Sequence, residues 1–266
     1  MCGIVGYIGE PINLDKVKLT VESLEYRGYD SVGIVGLKDG NVIYFDKNIG
    51  KIQTLFESKP KDMKMDTWLA HTRWATRGDV TKENAHPHTD CSGNIYVIHN
   101  GDFSLEYKKI RKTLEEEGHK FTSNTDTEVI AHLIEKYSKE TDFLEACIKS
   151  GKELGGYFAV SIINIDRPDE IIAMKRGEPP LLIGRGEKQN VVASDTRVIA
   201  LYTDTFTSME DGDVAVIKKD SIEIFNSGKK IERDFTHIDI EDMVRDKGEL
   251  LPNIIKEIIS GGGIID

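Results

Sequence analysis

The stretch MCGIVGYIGE, residues 1–10, sets β-branched residues between glycines and reads as a strand buried on both faces. Its second residue is a cysteine. Packed as a small hydrophobe, Cys2 would be no more than the start of that strand. Removal of Met1 gives it a second meaning, because a thiol and a free α-amino group then share one carbon. An α-amine with a pKa of about 7.7–8 is partly unprotonated at neutral pH, close to a thiol of about 8.5. One residue then offers both nucleophile and base.

Outward from this strand, NLDKVKLTVESLE (13–25) places Val17, Val21 and Leu24 at helical spacing behind a capping Asn13 or Asp15, with Gly28 as the stop. SVGIVGLKDGNVIYFDKNIG (31–50) alternates about Asp39-Gly40, a hairpin signal. Further strands are expected at TWLAHTRWA (67–75) and NIYVIHNG (94–101). Helices follow near 107–117, from Thr125, and near 141–153 up to Gly155-Gly156. TDTE (125–128) has the form of a capping box with Glu128 at the third helical position, and Val129, Ile130, Leu133, Ile134 and Tyr137 form the apolar stripe behind it. YFAVSIINI, EIIAMKRG, PLLIGRG, NVVASD and the hairpin DVAVIKKDSIEIFN supply later strands. Hairpin-joined strands with helices grouped between them predict an α+β layered fold with two largely antiparallel sheets.

Composition narrows the function. The 266 residues carry 46 acidic and 35 basic side chains, a formal charge of -11, with no basic block to track a nucleic acid or an anionic membrane. Three cysteines, Cys2, Cys91 and Cys147, make no disulfide framework and fit a reducing compartment, the cytoplasm by default. No leader is visible, and no apolar stretch approaches the ~18 residues of a membrane span. Residues 1–235 read as one domain, and 236–266 as a connector-like tail.

Several motifs are excluded. Gly261–Gly263 and RGEPPLLIGRGEK (176–188) match neither phosphate-binding fingerprint. NAHPHTDC (84–91) brings His86, His88, Asp90 and Cys91 close in sequence, but the spacing is no standard zinc pattern and Pro87 intervenes, so no metal is expected. A serine hydrolase elbow is missing, and no histidine declares itself as a base.

MCGIVGYIG, LEYRGYDSVGI, HTRWATRG, NAHPH, HNG and SNTDTEVIAHL, in this order, resemble the class II glutamine amidotransferases, which are N-terminal nucleophile hydrolases. YRGYDS and HTRWAT look like the branch of glucosamine-6-phosphate synthases, and the likeness extends to GYFAVSI and ASDT. The resemblance implies a four-layer αββα fold and a glutaminase that needs no cofactor. It implies Cys2 as nucleophile, its α-amine as base once Met1 is gone, and Asn100 and Gly101 as the oxyanion hole. Arg73 and Thr76 would hold the glutamine α-carboxylate, and Asp126 the α-ammonium. Arg27 would order the terminus, Trp74 would lie in a loop over bound glutamine, and His86 would support that loop. Read as residues alone, Asn100-Gly101 is a turn, Asp126 a helix-dipole acid, Arg27 a surface ion pair and Trp74 a core side chain.

Two departures from the family stand out. DFSLEY follows HNG where the family has an apolar pair and Glu-Asn, and Arg77 replaces a histidine. The implied product is ammonia for a sugar-isomerase subunit or domain that makes glucosamine 6-phosphate. The alternatives are a glutaminase feeding another synthase, or a silent glutamine-binding module.

Overall fold

The computed structural model describes residues 2–56, 60, 62–75 and 78–238. The opening run becomes β1 (Gly3–Asn13), followed by α1 (Leu14–Glu22), β2 (Ser31–Lys38), β3 (Asn41–Ile49), α2 (Gln53–Phe56) and β4 (Lys64–Arg73). Next come β5 (His88–Thr89), β6 (Ile95–Asp102), α3 (Tyr107–Glu116), α4 (Thr127–Ser138) and α5 (Phe143–Leu154). The remainder is β7 (Tyr157–Asn164), β8 (Ile171–Arg176), β9 (Leu182–Arg185), β10 (Gln189–Ala193), α6 (Thr196–Ile199), β11 (Thr205–Ser208), β12 (Asp213–Ile217), β13 (Ile222–Asn226), β14 (Lys229–Ile231) and β15 (Thr236–His237).

These strands form two antiparallel sheets. One has the order β15-β11-β9-β10-β1-β4-β2-β3, the other β14-β13-β12-β8-β7-β6-β5. Alternation along β1 shows why its residues are apolar on both faces. Val5 and Tyr7 pack outward with Val17 and Val21 of α1, whereas Ile4 and Ile8 pack inward with Ile98, Ala159 and Ile171 of the second sheet. On that sheet's far side, Val97, Val160 and Ile162 pack against Leu114, Val129, Ile130 and Cys147 of α3, α4 and α5. The order helix, sheet, sheet, helix is the expected four-layer architecture. No helix among the described residues is long and apolar enough to cross a membrane.

The Asp39-Gly40 hairpin forms with both residues at positive φ, 49° and 77°, as a tight two-residue turn requires. Asn13 caps α1 by accepting from the Lys16 N–H at 2.9 Å.

Two local expectations are corrected. Helix α1 ends at Glu22, and Glu25–Arg27 is a separate 3-10 turn, so Gly28 is not the stop. Its role is close approach: a Cβ there would lie 2.6 Å from the Arg73 carbonyl carbon, so only glycine lets the end of β4 pass. The capping box at TDTE does not form either. Helix α4 takes Asp126 as its N-cap, and the Glu128 carboxylate turns into the preceding loop, accepting from the Thr122 and Ser123 N–H groups at 2.7 Å each. Thr125 Oγ1 pairs instead with His88 Nε2 at 3.0 Å. The tail expected from residue 236 is described only as far as Ile238; Thr236–His237 pair with β11 as an edge strand.

Candidate active site

Cys2 immediately precedes β1, and antiparallel pairing sets Gly3 opposite Thr72 and Ser31 opposite Arg73. The end of β4 is thereby held beside the chain start. The Trp74 N–H donates to Cys2 Sγ at 3.2 Å, and Sγ lies 3.4 Å from the Trp74 carbonyl. Burial raises the thiol pKa, and the Trp74 N–H with the charges of Arg73 and Arg27 offsets only part of that rise. The thiol therefore needs a base to ionise at neutral pH.

The Cys2 carbonyl is clamped. Asn100 Nδ2 donates to it at 2.9 Å and Arg27 Nε at 3.2 Å. Arg27 is buried, and its guanidinium is fixed by Asp195 at 3.3 Å, which also pairs with Arg197 at 2.9 Å and with the Tyr26 hydroxyl. Burial pushes the Asp195 carboxyl up, but the bonds from Arg197 and Tyr26 outweigh it and hold the group well below the usual carboxylate range. Arg27 is thus an anchored cation and not a surface ion pair.

His71 decides which way the Asn100 amide faces. Its Nε2 lies 3.0 Å from both Asn100 Oδ1 and the His99 carbonyl; both are acceptors, so Nε2 carries the proton. Burial is the main cause that lowers its pKa to about 3, so the ring is neutral. With Oδ1 committed to His71, Nδ2 is left to face Cys2. His86 packs its ring 4.1 Å from that of His71, accepts from the His99 N–H at 3.4 Å, and is kept neutral chiefly by burial. Gly101 has φ 118°, and a Cβ there would fall 2.2 Å from the Tyr157 carbonyl oxygen, so no side chain fits.

Cys2, Arg27, Arg73, Asn100, Gly101 and Asp126 share one cavity of about 660 Å3 with Trp74 and His86. Arg73 is buried and donates from Nη1 to the Asp79 carbonyl at 3.2 Å. Asp126 is buried at the N-cap of α4, yet its side chain makes no capping bond and accepts from the Phe103 N–H at 3.3 Å. Trp74 is 45% exposed, with Tyr29 5.7 Å away ring to ring, so the core tryptophan is Trp68 instead. Thr76 and Arg77 lie outside the described residues.

Asn100 and Gly101 are not a turn but ladder residues of β6, opposite Ala159 and Phe158 of β7, and Phe103, from the divergent DFSLEY that follows, is buried and stacks on His99 at 4.3 Å. His71 and Asp195 were not singled out in the sequence, although both lie in quoted motifs, HTRWAT and ASDT. Tyr157, within GYFAVSI, and Glu178–Pro180, within the stretch excluded as a phosphate-binding loop, also line the cavity, and no role is assigned to them from sequence. The NAHPHTDC residues disperse: His86 joins the cavity, His88 meets Thr125, and Asp90 accepts from its own turn at Asn94 and Ile95. Cys91 turns to His119 and His132.

Against known proteins, the family described as glutamine amidotransferase domain matches residues 60–233. The chain is 42% identical over 260 residues to a glutamine–fructose-6-phosphate aminotransferase (isomerizing) of Aquifex aeolicus, covering 97% of this chain and 43% of that protein. It is 41% identical to its namesake in Thermotoga maritima, covering 97% and 42%. The chain therefore spans less than half the length of these relatives. Among solved structures, the glutamine phosphoribosylpyrophosphate amidotransferase of B. subtilis, in complex with ADP and GMP, superposes with a TM-score of 0.72 at 27% identity, covering 88% of this chain and 50% of that one. Matching sequence, layered fold and a cysteine at the head of β1 place the chain in the class II glutamine amidotransferases, enzymes whose nucleophile is an N-terminal cysteine.

Proposed function

We propose that this chain hydrolyses L-glutamine to glutamate and ammonia through a thioester on Cys2, and passes the ammonia to a sugar-isomerase domain or subunit that forms glucosamine 6-phosphate. The observation that carries the reading is the sharing of one cavity by a guanidinium, a carboxylate and a thiol. Arg73 suits the α-carboxylate of an amino acid and Asp126 its α-ammonium. With both ends of the α-carbon held, the side-chain amide is presented to Cys2.

Removal of Met1 frees the α-amine of Cys2, which takes the thiol proton as sulfur bonds to the amide carbon. The oxygen that becomes negative is met by Asn100 Nδ2, which His71 has already oriented, and by the Gly101 N–H. The protonated amine then gives its proton to departing ammonia and accepts one from water as water opens the thioester. Arg27 holds the Cys2 carbonyl, and so the chain start, throughout.

The acceptor is inferred from the relatives, whose names give fructose 6-phosphate as a substrate. The test measures glutamate and ammonia from glutamine with the Met1-processed protein and with Cys2→Ala, with and without a sugar-isomerase partner and fructose 6-phosphate. Turnover lost in Cys2→Ala, and amino sugar formed only with the partner, is expected. Binding of glutamine without turnover under every condition would leave a silent binding module.

A further inference from the structure

On the far side of the second sheet, a cysteine, two histidines and a glutamate from three separate segments point at one spot. Cys91 comes from the turn after β5, His119 from the link between α3 and α4, and His132 and Glu135 from successive turns of α4. Cys91 Sγ lies 3.6 Å from His119 Nδ1 and 3.4 Å from His132 Nδ1, and the two Nδ1 atoms are 3.3 Å apart. Glu135 Oε2 is 3.1 Å from His119 Nδ1 and 3.5 Å from His132 Nδ1. We propose that Cys91, His119, His132 and Glu135 bind one zinc ion as a closed structural site.

Five of the six distances between these ligand atoms fit that ion, and all four atoms lie within 4.8 Å of one another. Zinc bonds of about 2.0–2.1 Å to nitrogen and oxygen and about 2.3 Å to sulfur, arranged tetrahedrally, put the ligand atoms about 3.3–3.6 Å apart. Four donor atoms this close share too few protons to bond one another along every edge, whereas one central cation satisfies all four. Charge agrees as well: a thiolate and a carboxylate with two neutral imidazoles balance a divalent ion, and binding releases the Cys91 thiol proton. A thiolate and imidazole set selects zinc over magnesium or calcium, and four protein ligands leave no open position for catalysis.

The surroundings orient the ligands. His132 turns Nε2 towards Glu128 Oε1 at 3.8 Å, and that carboxylate is anionic under the bonds from Thr122 and Ser123. The anionic carboxylate favours a proton on Nε2 electrostatically, at a distance too long for a hydrogen bond, which leaves the Nδ1 lone pair for the metal. The Cys91 N–H holds Glu135 Oε2 at 3.2 Å, and the Lys120 N–H reaches Cys91 Sγ at 3.5 Å. The ion would pin α4 to the loop before it, seven residues from Asp126.

The experiment is metal analysis of the untagged protein purified without chelator, beside Cys91→Ser, His119→Gln and Cys2→Ala. About one zinc per chain is expected in wild type and Cys2→Ala, falling at least tenfold in the other two. After chelation, added CoCl2 should give tetrahedral d–d bands with a thiolate charge-transfer band, absent in Cys91→Ser. Wild-type protein that takes up neither metal overturns the site. Zinc retained by Cys91→Ser and His119→Gln, or lost in Cys2→Ala alone, does so too, and the cobalt spectrum of wild type keeps the question decidable should a variant misfold.

Discussion

Asp126 and Asp142 occupy the same position, the N-cap of consecutive helices α4 and α5, and they are used in opposite ways. Asp142 sits in extended backbone, φ -65° and ψ 160°, and its Oδ1 accepts from the Glu145 N–H at 3.1 Å. Asp126 has helical backbone, φ -72° and ψ -27°, is buried, and gives its own helix nothing. Its carboxylate lies on the cavity and accepts from the Phe103 N–H. A cap costs nothing to keep where no ligand competes for it. On the proposed reading, in which Asp126 takes the substrate α-ammonium, the carboxylate is withheld from the helix and the loop is secured by another acid, Glu128. Asp126 still sits at the positive end of the α4 dipole, but it makes no capping bond there, so the dipole reading and the binding reading are compatible.

Glu128 is where that division of labour is most easily broken. Its Oε1 accepts from the Thr122 N–H and hydroxyl, and its Oε2 from the Ser123 N–H and hydroxyl, at 2.6–2.8 Å. Glu128→Gln sets an NH2 against a backbone N–H that has no other acceptor among the described residues. With bonds to a charged group worth about 1.5–3 kcal/mol and an unsatisfied buried donor costing about 1–3, the loss should be about 3–4 kcal/mol by urea unfolding. Burial raises the Glu128 pKa, but the nearby His132 ring and the bonds from Ser123 and Thr122 prevail and hold it below the ordinary 4.5. A depressed carboxylate contributes stability that is complete above about 4.5 and is lost as pH falls through its folded value. The variant should lose stability at pH 7 and show a shallower acid limb. An unchanged acid limb would mean that buried His71, His86 and His88, neutral in the fold and charging on unfolding below about 6.5, account for all of it.

Asp126→Asn comes next in size. The amide keeps an oxygen for the Phe103 N–H, so folding should be spared, and only the charge facing the cavity is removed. The loss of a charge-assisted contact of about 1.5–3 kcal/mol predicts a ten- to hundredfold fall in kcat/KM for glutamine, carried mainly by KM. The melting temperature should move by less than about 2 °C. A large drop in stability with KM unchanged would make Asp126 a structural residue after all, and the comparison with Asp142 would collapse.

The sequence carries this contrast only in part. Local patterns were legible: the Asp39-Gly40 hairpin, the Asn13 cap and the Gly155 end of α5 each depend on neighbours within a few residues. Motif resemblance brought Cys2, Asn100, Arg73 and Asp126 together although they come from different elements. What stayed hidden depends on distance along the chain or on protons. Asp195 meets Arg27 across 168 residues, and no local spacing marks either as the other's partner. The His71 tautomer is set by two acceptors that only the fold assembles. TDTE misled because a capping box and a loop-securing glutamate share the same four letters, and burial of Glu128 decided between them.

Asp142→Ala is the smallest and most discriminating change. An exposed N-cap bond replaced by alanine typically costs about 1 kcal/mol, because one N–H of the first helical turn loses its partner and must turn to water. In a chain of this size that is a fall of about 2–4 °C in melting temperature. Glutamine kinetics should be untouched, since Asp142 opens α5 at its exposed end and is not among the residues that line the cavity. Set beside Asp126→Asn, the two variants form a crossed pair, one moving KM without stability and the other stability without KM. If Asp142→Ala lowered activity while the protein remained folded, the caps would not be independent. Packing of α5 on α4 would then be setting where Asp126 points, and binding and stability would be one property of the helix pair.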